Sequence, residues 1–475
     1  FMVDKAAVIA SEKTGLAISV NHVRLVFPCN LGVEGVEVLQ QNDSIVQQKD
    51  TVARAKKIVV EMELLPLLHH QVQLNELSLH DFAFNTTNFI PEARVQGRAK
   101  RLYVRSRGID LSGEKVTVNS AILQNARVKV EVSDTVPPDT SKTKNYWKIW
   151  VNALSVENTA IDVSLHKDTF NIQTHIDKAV ATKGYFNLGR GLYAIKTFDS
   201  SLKSLLYNNK YVTPTKGLDA NHLAFSRLSL GVNNLLFCSP ILRLNVKQMA
   251  LQEKSGLAIT NMQGKVFMDS TSLHLSSLLL QTESSKVALN LAMNFNAFAK
   301  DNPGKIKAVV DASIGKKDFF FMDMNLSKQF INAFPSAPLN IKGDIEGNMK
   351  TVSISKLQVS LPSAFQLNVH GSIANMMKPS VLESNISVKA HTQNLSFVKY
   401  LLPYSLRKEV RIPLGISLNA NVKTKGKRYE ANFKVAEGKG NLVGKLFFDA
   451  KRMSYNALLA ARSMAFGHFI AHKNL

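Results

Sequence analysis

The stretch KDTVARAKKIVVEMELLPLLHHQVQLNELSLHDFAFN, residues 49–85, decides the fold class of this chain. Its first half alternates apolar with mostly polar side chains, the apolar ones being Ile58, Val60, Met62 and Leu64. After the apolar segment 64–68, its second half carries a further apolar series at Val72, Leu74, Leu77, Leu79, Phe82 and Phe84. A period of two places alternate side chains on opposite faces of a strand. The stretch therefore predicts successive strands that share one apolar side.

Similar alternation recurs to the end of the chain. The clearest series run from Val287 to Phe295, from Ile306 to Ile314 and from Ile412 to Val422. Because few residues separate successive strands, we expect neighbours to pair as antiparallel meanders. An open sheet of so many strands must curl, split or be covered. We therefore predict a mostly β protein, a long curled antiparallel sheet with a groove (a β-taco), on the order of 100 Å long at roughly 4.8 Å per strand.

Three segments depart from the two-residue period and predict helices. Phe1–Gly15 carries apolar residues at helical spacing and ends in glycine, which indicates an N-terminal helix. Phe319–Phe334 predicts a second helix. Asn394–Glu409 predicts a short amphipathic helix, with Asn394 as its cap and an interruption at Pro403.

Other features predict breaks between or within strands. The alternation shifts by one residue at Gly35, which indicates a bulge or a corner. Ser133–Lys144 is rich in proline, serine, threonine and aspartate, a composition typical of a flexible loop. Lys183–Leu218 is dense in glycine, tyrosine and asparagine and predicts a looser region.

The charge balance favours anionic partners without defining one. The 475 residues include 59 Lys and Arg against 36 Asp and Glu, a formal net charge of +23. Nucleic acid, anionic lipid and acidic polymers are the partner classes that such an excess attracts, and a solvated basic outer face is an equally good explanation. The basic residues are scattered and no RNP-type aromatic pair accompanies them, so we expect no nucleic-acid partner.

The cysteines and the apolar runs exclude two further classes. Cys29 and Cys238 lie in no zinc-ligand spacing, so they predict no metal site. One long-range disulfide and two unrelated buried thiols both remain open, with the thiols favoured. No run of eighteen apolar residues exists in the sequence, so no helical membrane span is predicted.

Motifs for catalysis and for ligand binding are absent, which predicts a protein that is not an enzyme and carries no cofactor. The segment Gly438–Lys445 resembles a phosphate-binding loop, but its glycine spacing is wrong by one and Leu446 replaces the magnesium-binding hydroxyl, so we expect a turn. His69 and His70 lack the glutamate of a metalloprotease motif, and His468 and His472 are more typical of surface histidines. No serine lies in a GxSxG elbow.

An open sheet with one apolar face has two outcomes: its arms pack together as a core, or they stay apart and enclose an apolar ligand. Each methylene moved into water costs roughly 0.8 kcal/mol, so a sixteen-carbon chain costs about 12 kcal/mol. A continuous apolar trough removes that barrier without any special residue. The candidate lining residues are Ile58, Val60, Met62, Leu289, Leu291, Ile306, Val310, Leu414, Ile416 and Leu418.

The first 300 residues resemble the AsmA-like family of bacterial envelope proteins, in particular its TamB-type members from Bacteroidetes. The resemblance rests on segments 11–15 (SEKTG), 18–38 (ISVNHVRLVFPCNLGVEGVEV), 56–79, 133–149, 216–240 and 254–264. It implies an N-terminal helix with a β unit in residues 1–90, a β-groove segment in 91–300, and a continuing groove with short amphipathic helices, truncated at its end, in 301–475.

The resemblance also implies a location and partners. Such proteins are anchored in the inner membrane of a Gram-negative bacterium by one helix, expected here before Phe1, and their body lies in the periplasm. The implied function is to hold or conduct phospholipid, through its acyl chains, between the inner and outer membranes. The alternative is an assembly factor for outer-membrane proteins, acting with an outer-membrane barrel of the Omp85 type through its free sheet edges.

A third hypothesis is an enzyme or adhesin built on a parallel β-helix. The five-residue rhythm of residues 72–84 supports it. The absence of regular Gly/Asn turn ladders and of clustered carboxylates argues against it.

Overall fold

The computed structural model describes residues 17–26, 30–41, 49–62, 74–85, 93–110, 113–132, 147–165, 169–215, 217–299, 301–321, 326–376 and 378–469. Most of these residues lie in strands, which confirms the predicted mostly β class. The chain divides into two compact units, Phe1–Ala258 and Ile259–Leu475. The segment boundaries expected at residues 90 and 300 stay a prediction.

The described part of the first unit contains strands β1 to β11. Their bounds are β1 (Ala17–Val26), β2 (Asn30–Gln41), β3 (Lys49–Met62), β4 (Leu74–Asn85), β5 (Ala93–Asp110), β6 (Lys115–Val132), β7 (Lys148–Leu165), β8 (Phe170–Asn187), β9 (Leu192–Asn209), β10 (His222–Cys238) and β11 (Ile241–Glu253). Each strand pairs with the next in sequence, as the meander prediction requires. The pair β6–β7 is parallel, so the prediction of antiparallel pairing is wrong there. A parallel pair needs a long crossover, and residues 133–146, which connect these strands, lie outside the described residues together with the predicted loop.

The second unit continues with strands β12 to β23. Their bounds are β12 (Ala258–Met268), β13 (Ser272–Gln281), β14 (Lys286–Asn294), β15 (Ile306–Ile314), β16 (Leu339–Gly347), β17 (Thr351–Leu361), β18 (Phe365–Ala374), β19 (Glu383–Thr392), β20 (Ser417–Lys425), β21 (Arg428–Glu437), β22 (Gly440–Asp449) and β23 (Ser454–Arg462). Every consecutive pair from β12 to β23 is antiparallel. The parallel β-helix hypothesis is therefore wrong.

Helices are short in the described residues. Two α-helices, α1 (Lys316–Phe321) and α2 (Lys328–Ala333), occupy the region where one helix was predicted from Phe319 to Phe334. Ser327 is the N-cap of α2, because its side chain accepts the backbone N–H of Phe330 at 3.2 Å.

The predicted helix Asn394–Glu409 is a 3-10 helix over Ser396–Leu401 followed by turns. The Asn394 side chain accepts the Ser396 N–H at 2.9 Å, as a cap would. Leu402 is extended, with ψ of 150°, because Pro403 disfavours helical backbone at the residue before it. The predicted N-terminal helix lies outside the described residues.

Two strand predictions differ from the structure. The region 183–218, expected to be loose, contains the end of β8 and the whole of β9, because pairing with long neighbours overrides weak local propensity. The strand expected from Ile412 begins only at Ser417. Pro413 has no N–H to donate, and Gly415 takes a left-handed φ of 73°, so the chain turns before the ladder starts.

At Gly35, where the sequence predicts a bulge or a corner, the β1–β2 and β2–β3 ladders are interrupted without a shift of register. Gly35 belongs to a line of such interruptions across the first unit, which we call the bulge line. Gly35 has φ of 64° and is left out of the β1–β2 and β2–β3 pairing. On the next eight strands the residues omitted from the ladders are Lys56, Asp81, Lys100, Asn125, Asn158, Asp177, Lys203 and Arg227, all exposed. At Asn125, for example, the apolar series of β6 changes from odd positions at Leu123 to even positions at Val128.

A buried hydrophobic cluster lies at one end of the second unit's sheet. It consists of Phe330, Phe334, Leu339, Leu361, Ala364 and Phe397. The ring centroids of Phe334 and Phe397 lie 5.2 Å apart, and those of Phe330 and Phe397 lie 5.9 Å apart. Lys316 Nζ donates to the Phe334 carbonyl at 2.7 Å, which ties α1 to the end of α2. The helices therefore cover this end of the sheet alone.

Among the residues that the structure describes, no helix combines the length and the apolar character needed to span a membrane.

Candidate functional site

The register of the second unit aligns apolar side chains in rows that run across its strands. Residues directly opposite each other on paired strands share a face. Following the pairs from β13 to β23 gives a central row of Leu278, Leu289, Val310, Gly343, Leu357, Val369, Val388, Ala420, Phe433, Gly444 and Leu459. This row crosses eleven strands without a charged or polar side chain.

Two parallel rows flank the central one on the same face. The first is Leu275, Leu291, Ala308, Ile345, Ile354, Gly371, Ile386, Val422, Ala431, Leu446 and Ala457. The second is Leu280, Val287, Ala312, Ile341, Val359, Leu367, Ala390, Leu418, Val435, Leu442 and Ala461. We call the surface formed by these three rows the apolar face of the second unit.

The first unit has a comparable apolar face. From β3 to β11 one row holds Ile58, Leu79, Leu102, Leu123, Val156, Ala179, Ser200, Leu230 and Met249. The adjacent row holds Val60, Leu77, Val104, Ala121, Leu154, Ala181, Phe198, Val232 and Val246. Only Ser200 interrupts eighteen otherwise apolar positions.

In the second unit, the opposite face of the sheet carries charged and polar side chains. In the second unit, Lys342 Nζ lies 3.1 Å from Asp311 Oδ2, and Lys307 Nζ lies 3.3 Å from Glu346 Oε2. These side chains are about half exposed, so the pairs contribute little stability. They show that charged side chains lie on the face opposite the three apolar rows.

Most of the apolar face is only half-buried. Leu289, Leu291 and Val310 keep intermediate exposure, and Leu446 is 41% exposed. Of the row residues, Ala312, Gly343 and Gly444 are buried, and Leu361, which lies under the helices, is 1% exposed. Within the described part of each unit, no second layer covers the rest of the face, so its side chains are available to an apolar ligand.

The structure brings most of the predicted lining residues onto these faces. Leu289, Leu291, Val310 and Leu418 lie in the rows of the apolar face of the second unit, and Ile306 lies two residues beyond the row position of Ala308 on the same side of β15. Ile58 and Val60 lie on that of the first unit. None of the seven is fully buried.

The remaining three predicted residues lie elsewhere. Met62 ends β3 opposite Leu74, and its side chain is outside the described residues. Ile416 precedes β20 by one residue, and its carbonyl accepts the Thr392 N–H at 2.8 Å. Leu414 is 66% exposed in the turn before β20, away from the paired strands.

The strongest pKa shifts belong to turns and not to the apolar faces. Backbone N–H groups of Thr271 and Ser272, at 2.7 and 2.8 Å, and the Thr271 hydroxyl lower the pKa of Asp269 to about 2. N–H groups of Thr215 and Asn221, with a hydrogen bond from His222, hold the pKa of Asp219 far below its usual value. These carboxylates order turns, as charged caps do.

The described residues contain no group of three or more His, Cys, Asp or Glu side chains placed to hold a metal ion. His468 Nδ1 lies 2.8 Å from Glu437 Oε1, and His69, His70 and His472 are outside the described residues. Cys238 is free, while Cys29 is outside the described residues.

The loop-like segment starting at Gly438 is the turn between β21 and β22, as predicted, with Gly438 at φ of 54°.

No family model matches this chain, and no curated protein is similar to it. The resemblance to AsmA-like proteins therefore stays an expectation.

Sequence reasoning missed the small residues of the rows. Gly343 lies between Val310 and Leu357, and Gly444 lies under the Phe433 ring, where an added Cβ would approach the ring to 2.2 Å. No alternation of large apolar residues indicates such positions. Only the register identifies them, because their neighbours across the sheet supply the apolar surface.

Proposed function

We propose that this chain holds or conducts phospholipid by accepting acyl chains along the apolar faces of its sheets. In this proposal it is the periplasmic part of an envelope protein anchored in the inner membrane, and the lipid passes between the inner and outer membranes. The single observation that carries the proposal is the set of apolar rows, uncovered over most of their length.

Energetics support an acyl chain as the ligand. An acyl chain needs a long apolar surface and no directional partner, and a cross-strand row supplies that surface. Each methylene that contacts the row instead of water contributes up to about 0.8 kcal/mol. Strand spacing of roughly 4.8 Å corresponds to about four methylenes per strand crossed. A sixteen-carbon chain would therefore span about four strands of one row.

The bulge line supports a trough-like arrangement in the first unit. Bulges bend a strand and increase its twist. Small side chains on the apolar side of this line are strongly buried, Ala126 at 3% and Thr159 at 1% exposure, while the bulge residues Asn125 and Asn158 are exposed. We infer that the strands curve toward the apolar face, so that this face forms the inside of the groove.

Site-specific photocrosslinking tests the proposal. A benzoylphenylalanine is placed at apolar-face positions and, as matched controls, at the adjacent polar-face positions of the same strands. The pairs are Leu291 with Asn290, Val310 with Val309, and Leu418 with Asn419. We expect crosslinks to phospholipid in cells at the first member of each pair only. Equal crosslinking at both members, or crosslinks to protein alone at the apolar positions, would exclude the acyl-chain groove.

A further inference from the structure

The polar face of the first unit contains a basic cavity next to the bulge line. Its volume is about 660 Å³. A single cross-strand row lines it with Arg54, Ala83, Arg98, Arg127, Ala160 and His175, which we call the basic row. Ala83 and Ala160 leave room between the long side chains.

Two arginines of the basic row are directly opposite each other. Arg98 on β5 pairs in register with Arg127 on β6, so both guanidinium groups project from the same face. Like charges placed directly opposite on neighbouring strands are destabilising. Both side chains are exposed, and neither has a carboxylate within 4.0 Å among the described residues.

Unlike the two arginines, a neighbouring lysine on the same strand has a carboxylate partner. Lys129, two residues along β6 from Arg127, is paired with Glu131 at 2.5 Å. Among the described residues, one cation of this strand is therefore neutralised by a carboxylate and the facing arginines are not.

The rest of the cavity lining combines charged and amide side chains with the apolar residues Phe82, Ala99 and Ala126. Arg54 and Lys100 line it, and Asp81 is the one carboxylate among its lining residues. Asn158 Nδ2 donates to Asn125 Oδ1 at 2.6 Å, which fixes both amides at the rim. Arginine side chains present paired N–H donors that match phosphate oxygens.

We propose that this cavity binds the phosphate group of an anionic ligand, either a lipid headgroup or a free phosphate compound. The ligand would bridge Arg98 and Arg127 and remove their mutual repulsion. This site lies on the face opposite the apolar rows, so it does not depend on the proposed acyl-chain groove.

The test compares the full chain with two charge-matched variants. The site variant is Arg98→Gln/Arg127→Gln. The control, Lys389→Gln/Lys423→Gln, removes the same charge from exposed positions on the polar face of the second unit. Pyrophosphate binding is measured by calorimetry, and binding to phosphatidylglycerol or phosphatidylcholine vesicles is measured by flotation.

We expect the site variant to bind its anionic probe at least about tenfold more weakly, and the control to stay within about twofold of the unsubstituted chain. Pyrophosphate binding identifies a free phosphate ligand. Binding to phosphatidylglycerol vesicles without pyrophosphate binding identifies a headgroup.

Two results would overturn the proposal. One is equal loss of binding in both variants, which would assign the effect to net charge. The other is no binding of either probe by the unsubstituted chain. A thermal unfolding scan provides a second readout, since the site variant should unfold at a higher temperature than the chain without ligand and should lose the stabilisation by added anion.

Discussion

Val309 and Val310 offer a matched pair for testing the acyl-chain groove, because they are adjacent in β15 and lie on opposite faces. Val310 is half-buried and pairs with Leu289 in the central apolar row. Val309 is 40% exposed and pairs with Asn290 on β14 and Asp344 on β16. The same substitution, valine to aspartate, can therefore be made on either face of one strand.

The expected effect at Val310 follows from the length of acyl chain that a carboxylate would displace. A charge in the row keeps an acyl chain off about one strand spacing of roughly 4.8 Å. That distance is about four methylenes, worth about 3 kcal/mol at 0.8 kcal/mol each. Val310→Asp should therefore weaken lipid binding about 100-fold. Val309→Asp adds the same charge to a face that already carries Asp344, and should leave affinity within about twofold.

The assay uses the full chain stripped of lipid and titrated with a fluorescent phospholipid, with native mass spectrometry of lipid retained during purification as a second measurement. Circular dichroism and thermal unfolding establish that both variants fold. Val310→Ala, which removes two methyl groups and adds no charge, separates lost packing from charge and should cost about 1–2 kcal/mol of stability. Equal affinity of folded Val310→Asp and Val309→Asp for lipid would refute the reasoning.

Three further outcomes follow from particular contacts. Phe330→Ala removes a ring from the buried cluster and should lower the free energy of unfolding by about 3–5 kcal/mol. Amide hydrogen exchange in α1 and α2, measured by mass spectrometry, should become faster, and unchanged exchange would contradict this prediction. Asp269→Asn should lower the stability of the chain above about pH 4, because a carboxylate whose pKa is lowered by folding stabilises the fold only while it is ionised. The difference in stability from the unsubstituted chain should vanish as pH falls through about 2. A pH-independent difference in unfolding midpoint would contradict this prediction. Deleting Asn125 should shift the side-chain alternation of β6 by one and turn Val128 to the polar face, so we expect aggregation or loss of the cooperative unfolding transition. Asn125→Gly keeps the chain length, and this variant should stay soluble and unfold cooperatively.

The face assignment could be predicted from the sequence wherever alternation is unbroken. In β15, the apolar side chains from Ile306 to Ile314 fall on one face because successive side chains of a strand point to opposite sides. The pairing of β17 with β18 across Pro362 and Ser363 also matches the expectation. In both cases the alternation of side chains along a strand, or the pairing of strands adjacent in sequence, is sufficient for the prediction.

The bulge line could be predicted at Gly35 and nowhere else. At Asn125 and Asn158 the phase of the apolar series also slips by one, but polar residues that interrupt an apolar series are equally typical of turns. Only pairing with both neighbouring strands shows that the strand continues through the slip. The basic row escaped prediction for the same reason, since Arg98 and Arg127 are 29 positions apart and become neighbours through register alone.

The helices were located but not delimited by the sequence. Phenylalanines at 319, 320, 330 and 334 would share one stripe of a single continuous helix, but in the structure they belong to two helices that pack against the cluster of Leu339 and Leu361. That packing, and the Ser327 cap, set the bounds of α1 and α2. Tertiary context decides such short helices, since an isolated helix of one or two turns is not stable in water.

The two faces of the sheet explain why motif reasoning finds so little in this chain. An apolar row requires only that each strand place a Val, Leu, Ile, Ala or Gly at one register position, and neighbouring strands compensate for small residues such as Gly343. Many sequences satisfy that condition, so the surface can be conserved in chemistry without any fixed residue. Charge is different: a single carboxylate in a row interrupts the surface for every ligand that lies along it. The informative substitutions are therefore charges compared between the two faces of one strand, and truncation to alanine would detect little.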